Sequence, residues 1–249
     1  MKQIFFLILS ITLLAGCAFN SRSHVENSTL FIQVISDSES IKKIISESGP
    51  IIDGIIKKEL SLAASYDVTF FYPKDRQRIS VYSLNEFNQS GESLLFSSLD
   101  DINIIDMMPK HISATANLQF FGDKQDELVL IVGDKKKELE DINFKIKTKL
   151  HKLNDQYKAK EKTQLYNIEK SERHHYLPHM GLGRISLREI NKHIKKADAE
   201  DTINRIREQI KEEIGKFIEK NISSSPRLPV SKISIWDLTN RKYIKEWKK

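Results

Sequence analysis

Seven histidines and one cysteine stand out among the side chains of this 249-residue sequence that can do chemistry. Imidazole titrates near neutrality, so it can take or give a proton at working pH. His174, His175 and His179 lie close together. On a helix, that spacing could hold a metal ion. Pro178 and the alternating residues after it read instead as a strand, which sends successive side chains to opposite faces. No metal or other cofactor is expected. Gly181-Leu182-Gly183 lacks the strand-to-helix context of a dinucleotide loop. Phe70, Phe71, Tyr72, Phe120 and Phe121 read as core and rim of sheets rather than as a platform for stacking bases.

The lone thiol points to other chemistry. Cys17 follows Leu14-Ala15-Gly16, behind Lys2 and an apolar run over residues 4–14. That run is too short to cross a bilayer, which takes about 20 residues. A charged start, a short apolar core, small residues and then cysteine resemble a bacterial lipoprotein signal. The resemblance implies cleavage before Cys17, acylation of its sulfur and anchoring in a lipid bilayer. No second cysteine is available for a disulfide. Residues 1–16 are then a signal peptide, 17–29 a lipidated tether and 30–249 one folded domain outside the cytoplasm. A polar tether of this length reaches about 20 Å, keeping the domain near the membrane. Ala18, rather than Asp, after the cysteine implies the outer membrane if the cell is Gram-negative. The expected address is the cell envelope.

Forty basic and 34 acidic residues give a formal net charge of +6. Lys135-Lys136-Lys137, the alternation over residues 145–152 and Lys248-Lys249 read as solvated faces, with attraction to phosphates or anionic lipid as the sharper alternative.

The elements that must position these groups follow from apolar spacing. Residues 30–35 form a short apolar run, a buried strand. Ile41, Ile44, Ile45, Ile51, Ile52, Ile55, Ile56 and Leu60 have helical spacing, with a break expected at Gly49-Pro50. Residues 67–72 and 78–84 read as strands, and 85–110 as loops around short elements. Residues 112–121 and 128–132 flank Gly122-Asp123 as a hairpin. Leu139, Ile142, Ile146, Leu150, Leu153 and Tyr157 mark an amphipathic helix. A strand over 176–185, a helix carrying Ile203 to Phe217 and a strand over 230–238 complete the chain. The fold class is α+β, with mixed or antiparallel sheets in two lobes and flanking helices.

The segment Tyr176-Leu-Pro-His-Met-Gly-Leu-Gly-Arg184 resembles the second signature of the two-histidine (2H) phosphoesterases. That superfamily includes RNA 2′,3′-cyclic phosphodiesterases and the so-called 2′-5′ RNA ligases. Its motif is roughly Pro-His-x-Thr/Ser-Leu-x-Arg. Pro178, His179, Leu182 and Arg184 match it, and Gly181 stands where Thr or Ser is expected. The order of elements from residue 30 to the end is also similar to that family, though only the His179 segment is specific.

The resemblance implies two His-x-Thr/Ser strands facing each other across a groove. One imidazole takes a proton from water and the other gives one to the leaving ribose oxygen, with no metal required. His179 would be one catalytic histidine and Arg184 a substrate contact. For the other motif, spacing favours Asp67-Val68-Thr69, where Asp67 replaces histidine and Thr69 keeps the hydroxyl. The rival is His111-Ile112-Ser113, with His111 catalytic and Ser113 binding substrate. Asp67 is preferred because residues 112–132 already resemble the strand pair that follows the first motif.

Losing one imidazole removes acid–base catalysis worth about 10² to 10⁴ in rate. Losing the hydroxyl at Gly181 removes a hydrogen bond to charge, worth about 1.5–3 kcal/mol. The expectation is a weak or inactive cyclic phosphodiesterase that binds a phosphate-containing ligand, such as a nucleotide or an RNA end. The alternative is a non-catalytic envelope lipoprotein that binds a protein partner or scaffolds an assembly.

Overall fold

The computed structural model describes residues 27–62, 69–71, 77–132, 136–173, 176–221 and 227–248. Cys17, Asp67, His174 and His175 lie outside the described residues, as does the side chain of Thr69. Among the described residues no helix is long and apolar enough to cross a membrane.

Among the described residues, eight strands, all paired antiparallel, form the sheet: β1 (Asn27–Ser36), β2 (Thr69–Phe71), β3 (Arg78–Asn88), β4 (His111–Phe121), β5 (Glu127–Val132), β6 (His179–Ile185), β7 (Arg227–Asp237) and β8 (Lys242–Lys248). Their order is β1-β3-β6-β5-β4-β7-β8, β7 also pairs with β1, and β2 lies against β6. The β4 contact uses the start of β7, and the β1 and β8 contacts use the rest.

The helices are α1 (Glu39–Glu59), α2 (Glu92–Asp101), α3 (Lys136–Glu161), the short α4 (Ile168–Ser171) and α5 (Leu187–Asn191), and α6 (Ala199–Asn221). The long α6 packs on α1 and β4, while α3 packs on α2 and β3. The apolar stripes of α1, α3 and α6 join the buried faces of the strands in one core, which includes Ile32, Ile79, Leu130, Met180 and Ile235.

Two expectations need correction. First, α1 runs unbroken through Pro50. A mid-helix proline costs about 3 kcal/mol. Ile41, Ile44 and Ile45 before it and Ile52 and Ile56 after it are all buried on one stripe, and each buried isoleucine contributes about 1.5–3 kcal/mol. Packing therefore outweighs the lost hydrogen bond.

Second, β1 begins before the apolar run, at Asn27. Asn27 pairs with Asn88, and Leu238 N–H donates to the Thr29 carbonyl at 2.8 Å. Residues 85–110 hold short elements, as expected. The end of β3 runs into a 3-10 turn (Gln89–Gly91) capped by the Asn88 side chain, then into α2, which buries Leu95 and Leu99. The expected hairpin, the two long helices and the strands carrying His179 and Trp236 are present.

Candidate functional site

His179 opens β6, and its neighbours follow from the register. Met180 pairs with Leu130 of β5 on one side and Ile79 of β3 on the other. Met180 and Ile79 are fully buried. Directly opposed residues in antiparallel strands share a face, and their neighbours point to the other one. His179 and Gly181 therefore lie on the same face as Arg78 and Ser80. Continuing that register sets Ser80 against His179 and Arg78 against Gly181. A local two-fold axis runs through the Ile79–Met180 pair.

A β-bulge positions this half of β3. Ile32 pairs with Tyr82, but Gln33 pairs with Ser80, so Val81 is the extra residue. The bulge re-aims the strand. Before it, Arg78 and Ser80 face the His179 side. After it, Tyr82 shares the face of buried Ile32 and reaches the hydroxyl of Tyr166 and the carboxylate of Glu172.

Extended across the sheet, the register forms a polar row. Glu246 of β8 opposes Ser234 of β7, Ser234 opposes Gln33 of β1, and Gln33 opposes Ser80. The Gln33 amide donates to Ser80 Oγ at 3.3 Å, and His179 ends the row beside Ile131. His179 is half-buried. Its Nδ1–H donates to the Leu177 carbonyl oxygen at 2.7 Å, and its ring lies 4.5 Å from that of Phe121. With Nδ1 carrying the proton, Nε2 is the acceptor of the neutral ring.

The Arg78 guanidinium rests over two aromatic rings, 4.5 Å from the centroid of Trp236 and 5.3 Å from that of Tyr243. Trp236 and Tyr243 meet edge-on at 4.9 Å. The turn between β7 and β8 fixes them: the buried Asp237 carboxylate accepts from Asn240 N–H at 3.0 Å and from its side-chain amide at 2.7 Å.

The other residues expected from the sequence fall elsewhere. Thr69 pairs with Ile185, at the opposite end of β6 from His179, so β2 does not bring it beside that histidine. Arg184 opposes Glu127 and its Nη2 contacts that carboxylate at 3.1 Å, beyond the row that holds His179. His111 and Ser113 do come together. They line a cleft of about 330 Å³ with Lys110, Glu138, Leu139 and Arg227, where β4 meets the start of β7.

Arg78 and Ser80 were missed. Arg78-Ile79-Ser80-Val81 has the alternation of His179-Met180-Gly181-Leu182, which is the signal that could have found it. A search for imidazole passes over it. Two further histidines are engaged away from the row or lie off it. His151 meets Glu172, and His193 follows α5. Among the described residues, the row holds no histidine besides His179.

Among solved structures, the chain is similar to Kluyveromyces marxianus Usb1 with uridine monophosphate. The TM-score is 0.56 at 8% identity, over 90% of this chain and 99% of that one. A second structure of the same yeast protein gives a TM-score of 0.55, again at 8% identity and over 90% and 99% of the two chains. The fold, an antiparallel sheet flanked by helices, is similar to that of this yeast protein. No family model matches the sequence, and no curated protein matches it. At this identity the likeness speaks for the fold alone. Within that fold, Arg78-Ile79-Ser80 of β3 and His179-Met180-Gly181 of β6 meet at the Ile79–Met180 pair.

Proposed function

We propose that this chain is a lipid-anchored envelope protein that binds a phosphate ester on the face holding His179, Ser80 and Arg78. The observation that carries the reading is the Ile79–Met180 pairing, which brings two degenerate half-motifs of one family onto one face. The neighbouring structure was solved with a nucleotide, uridine monophosphate, and a nucleotide is the ligand class proposed for this site.

The Ser80 hydroxyl would donate to a phosphoryl oxygen. Arg78 would leave its aromatic rest and add a charge-assisted, two-pronged contact. The opposing residue is Gly181, so no side chain stands in the way. His179 Nε2 would accept a proton from water or from the ligand.

Hydrolysis of a 2′,3′-cyclic phosphodiester needs more than this. Water attacks phosphorus and passes its proton to His179, the bond from phosphorus to a ribose oxygen breaks, and that oxygen must be protonated. A guanidinium stays protonated at any working pH and makes a poor proton donor. The site is thus better suited to binding than to turnover, and hydrolysis is expected to be slow. Cys17 supplies the anchor in this reading, and Ala18 sorts the protein to an outer membrane where the cell has one. A purely scaffolding envelope lipoprotein would share the anchor but leave the row without a small ligand.

The test is calorimetric titration of uridine 2′,3′-cyclic monophosphate into the full chain in detergent, with turnover followed in the same samples. Binding that His179→Ala weakens about tenfold or more supports the reading. A folded wild-type protein that binds none of it overturns the reading in favour of the scaffold. Serine in place of Cys17 should abolish incorporation of labelled palmitate, and unchanged labelling would contradict the anchor.

A further inference from the structure

Residues 144–162 hold seven lysines against two acids, Asp155 and Glu161. That segment alone carries +5 of the chain's net charge of +6. Lys145, Lys149, Lys152 and Lys160 recur at steps of four, three and eight, which places them on one side of α3. Phe144, next to Lys145, is 66% exposed, more than any other large apolar side chain among the described residues. The long helix α6 is built differently. Its cations meet acids on their own helix: Lys211 reaches Glu208 at 2.5 Å, and Lys216 reaches Glu212 at 2.6 Å and Glu213 at 2.9 Å. Such pairing suits a face turned to water. On α3, Lys147 and Lys149 reach acids of other elements, Glu172 at 2.5 Å and Asp101 at 3.1 Å. A surplus of cations around an exposed ring suits an anionic surface better than water.

The place where the chain enters the domain says which surface that is. Nine residues, 18–26, separate Cys17 from the start of β1. A flexible segment of that length reaches about 15–18 Å. Asn27 pairs with Asn88, Asn88 N–H donates to the Leu165 carbonyl at 2.8 Å, and the hydroxyls of Ser90 and Tyr157 meet at 2.7 Å. The tether therefore joins the domain beside the last turns of α3. A helix of 26 residues is about 39 Å long, so the same short tether that keeps its end near the anchor lets its side lie down.

We infer that the outer face of α3, together with Lys162, lies on an anionic lipid surface, an inference that rests on the reading of Cys17 as the anchor. The lysine stems run along the head groups while Phe144 enters the boundary with the acyl chains. Attraction between exposed charges fades within about 8–10 Å at ordinary ionic strength, so the contact needs a domain already held close. The tether does this, turning a weak surface contact into one within a single molecule. The orientation has a consequence for the ligand. The apolar stripe of α3 is buried in the core that holds Ile79 and Met180, and His179 points to the other face of that pair. With α3 on lipid, the His179 row opens away from the bilayer, toward ligands in solution.

The test inserts the full chain into preformed vesicles of phosphatidylcholine, with or without phosphatidylglycerol, then labels lysine amines and maps them by mass spectrometry. Labelling of Lys145, Lys152 and Lys160 should fall about threefold or more on the anionic vesicles relative to the neutral ones, and recover in high salt. Lys216 and Lys220 of α6 should change little. In the triple substitution Lys145→Glu, Lys152→Glu and Lys160→Glu, Lys149 and Lys158 should be labelled equally on both vesicles. Equal labelling of the wild-type α3 lysines on the two vesicles would overturn the lipid-facing surface and leave the anchor standing. Wild-type protein that fails to sediment with neutral vesicles would overturn the anchor, and protection of α3 on anionic vesicles would then still uphold the surface. Protection on both vesicles that grows with the amount of chain per vesicle would assign the face to a second copy and overturn lipid as its occupant.

Discussion

Strands β3 and β6 meet at the Ile79–Met180 pair, yet they present different side chains beside it. On β6 the sequence is His179-Met180-Gly181, with an imidazole and no hydroxyl. On β3 it is Arg78-Ile79-Ser80, with a hydroxyl and a guanidinium. Continued one residue each way from the Ile79–Met180 pair, the register sets the imidazole against the hydroxyl and the guanidinium against the glycine. A symmetric pair of motifs would have two imidazoles, one to take a proton and one to give it. In the proposed site the position of one imidazole is taken by a permanent cation, which suits holding an anion better than breaking its bond.

Restoring the symmetry is the strongest way to break the comparison. The double substitution Arg78→His with Gly181→Ser supplies the second imidazole and the second hydroxyl. Hydrolysis of uridine 2′,3′-cyclic monophosphate should rise by about 10² or more. A rate that stays at the wild-type level would mean the two strands do not frame one reaction centre.

A second prediction sharpens the role of the cation. Arg78→Ala should weaken phosphate-ester binding about tenfold, and Arg78→Lys should recover only part of it, because lysine keeps the charge but loses the planar fork. Full recovery by lysine would reduce the role of Arg78 to charge alone.

The smallest effect concerns the far side of the bulge, where β3 serves stability. Tyr82 donates to Glu172 at 2.9 Å, and Lys147 and His151 also hold that carboxylate. Burial pushes the Glu172 carboxyl up, but the hydrogen bonds from Lys147, Tyr82 and His151 outweigh it and leave it below its ordinary 4.5. A depressed carboxylate stabilises the fold above its unfolded pKa, and that contribution is lost as pH falls through the folded value. The thermal midpoint of wild type should therefore fall by about 2–4 °C more than that of Glu172→Gln between about pH 5 and pH 3. Parallel curves would remove this network from the account.

Much of the fold was legible because its signals are local. The Ile stripe of α1, the stepping leucines of α3 and the apolar runs of β1 and β5 each report their own periodicity. Pro50 misled because a local rule met a long buried stripe. The edge strand β8, Lys-Tyr-Ile-Lys-Glu-Trp-Lys, carries charge on both faces, as exposed edges often do, and its strand character shows mainly through pairing with β7.

The site was half legible. His179 is marked by Pro178, Leu182 and Arg184. The strand beside it is set by a pairing between residues distant in sequence, Ile79 and Met180, and it carries Arg78 and Ser80 rather than the Asp67 or His111 that the sequence suggested. Spacing from β1 pointed to Asp67 and Thr69, but a further strand start lies between Phe71 and the axis. Arg184 matched the family pattern in sequence and sits opposite Glu127 in the fold.

The most direct test is a comparison of single substitutions by calorimetric titration with uridine 2′,3′-cyclic monophosphate. Ser80→Ala and His179→Ala should each weaken binding about tenfold or more, while Thr69→Ala and His111→Ala should weaken it less than threefold. The opposite pattern, with Ser80→Ala at wild-type affinity and binding lost in Thr69→Ala or His111→Ala, would contradict the placement of the site between β3 and β6.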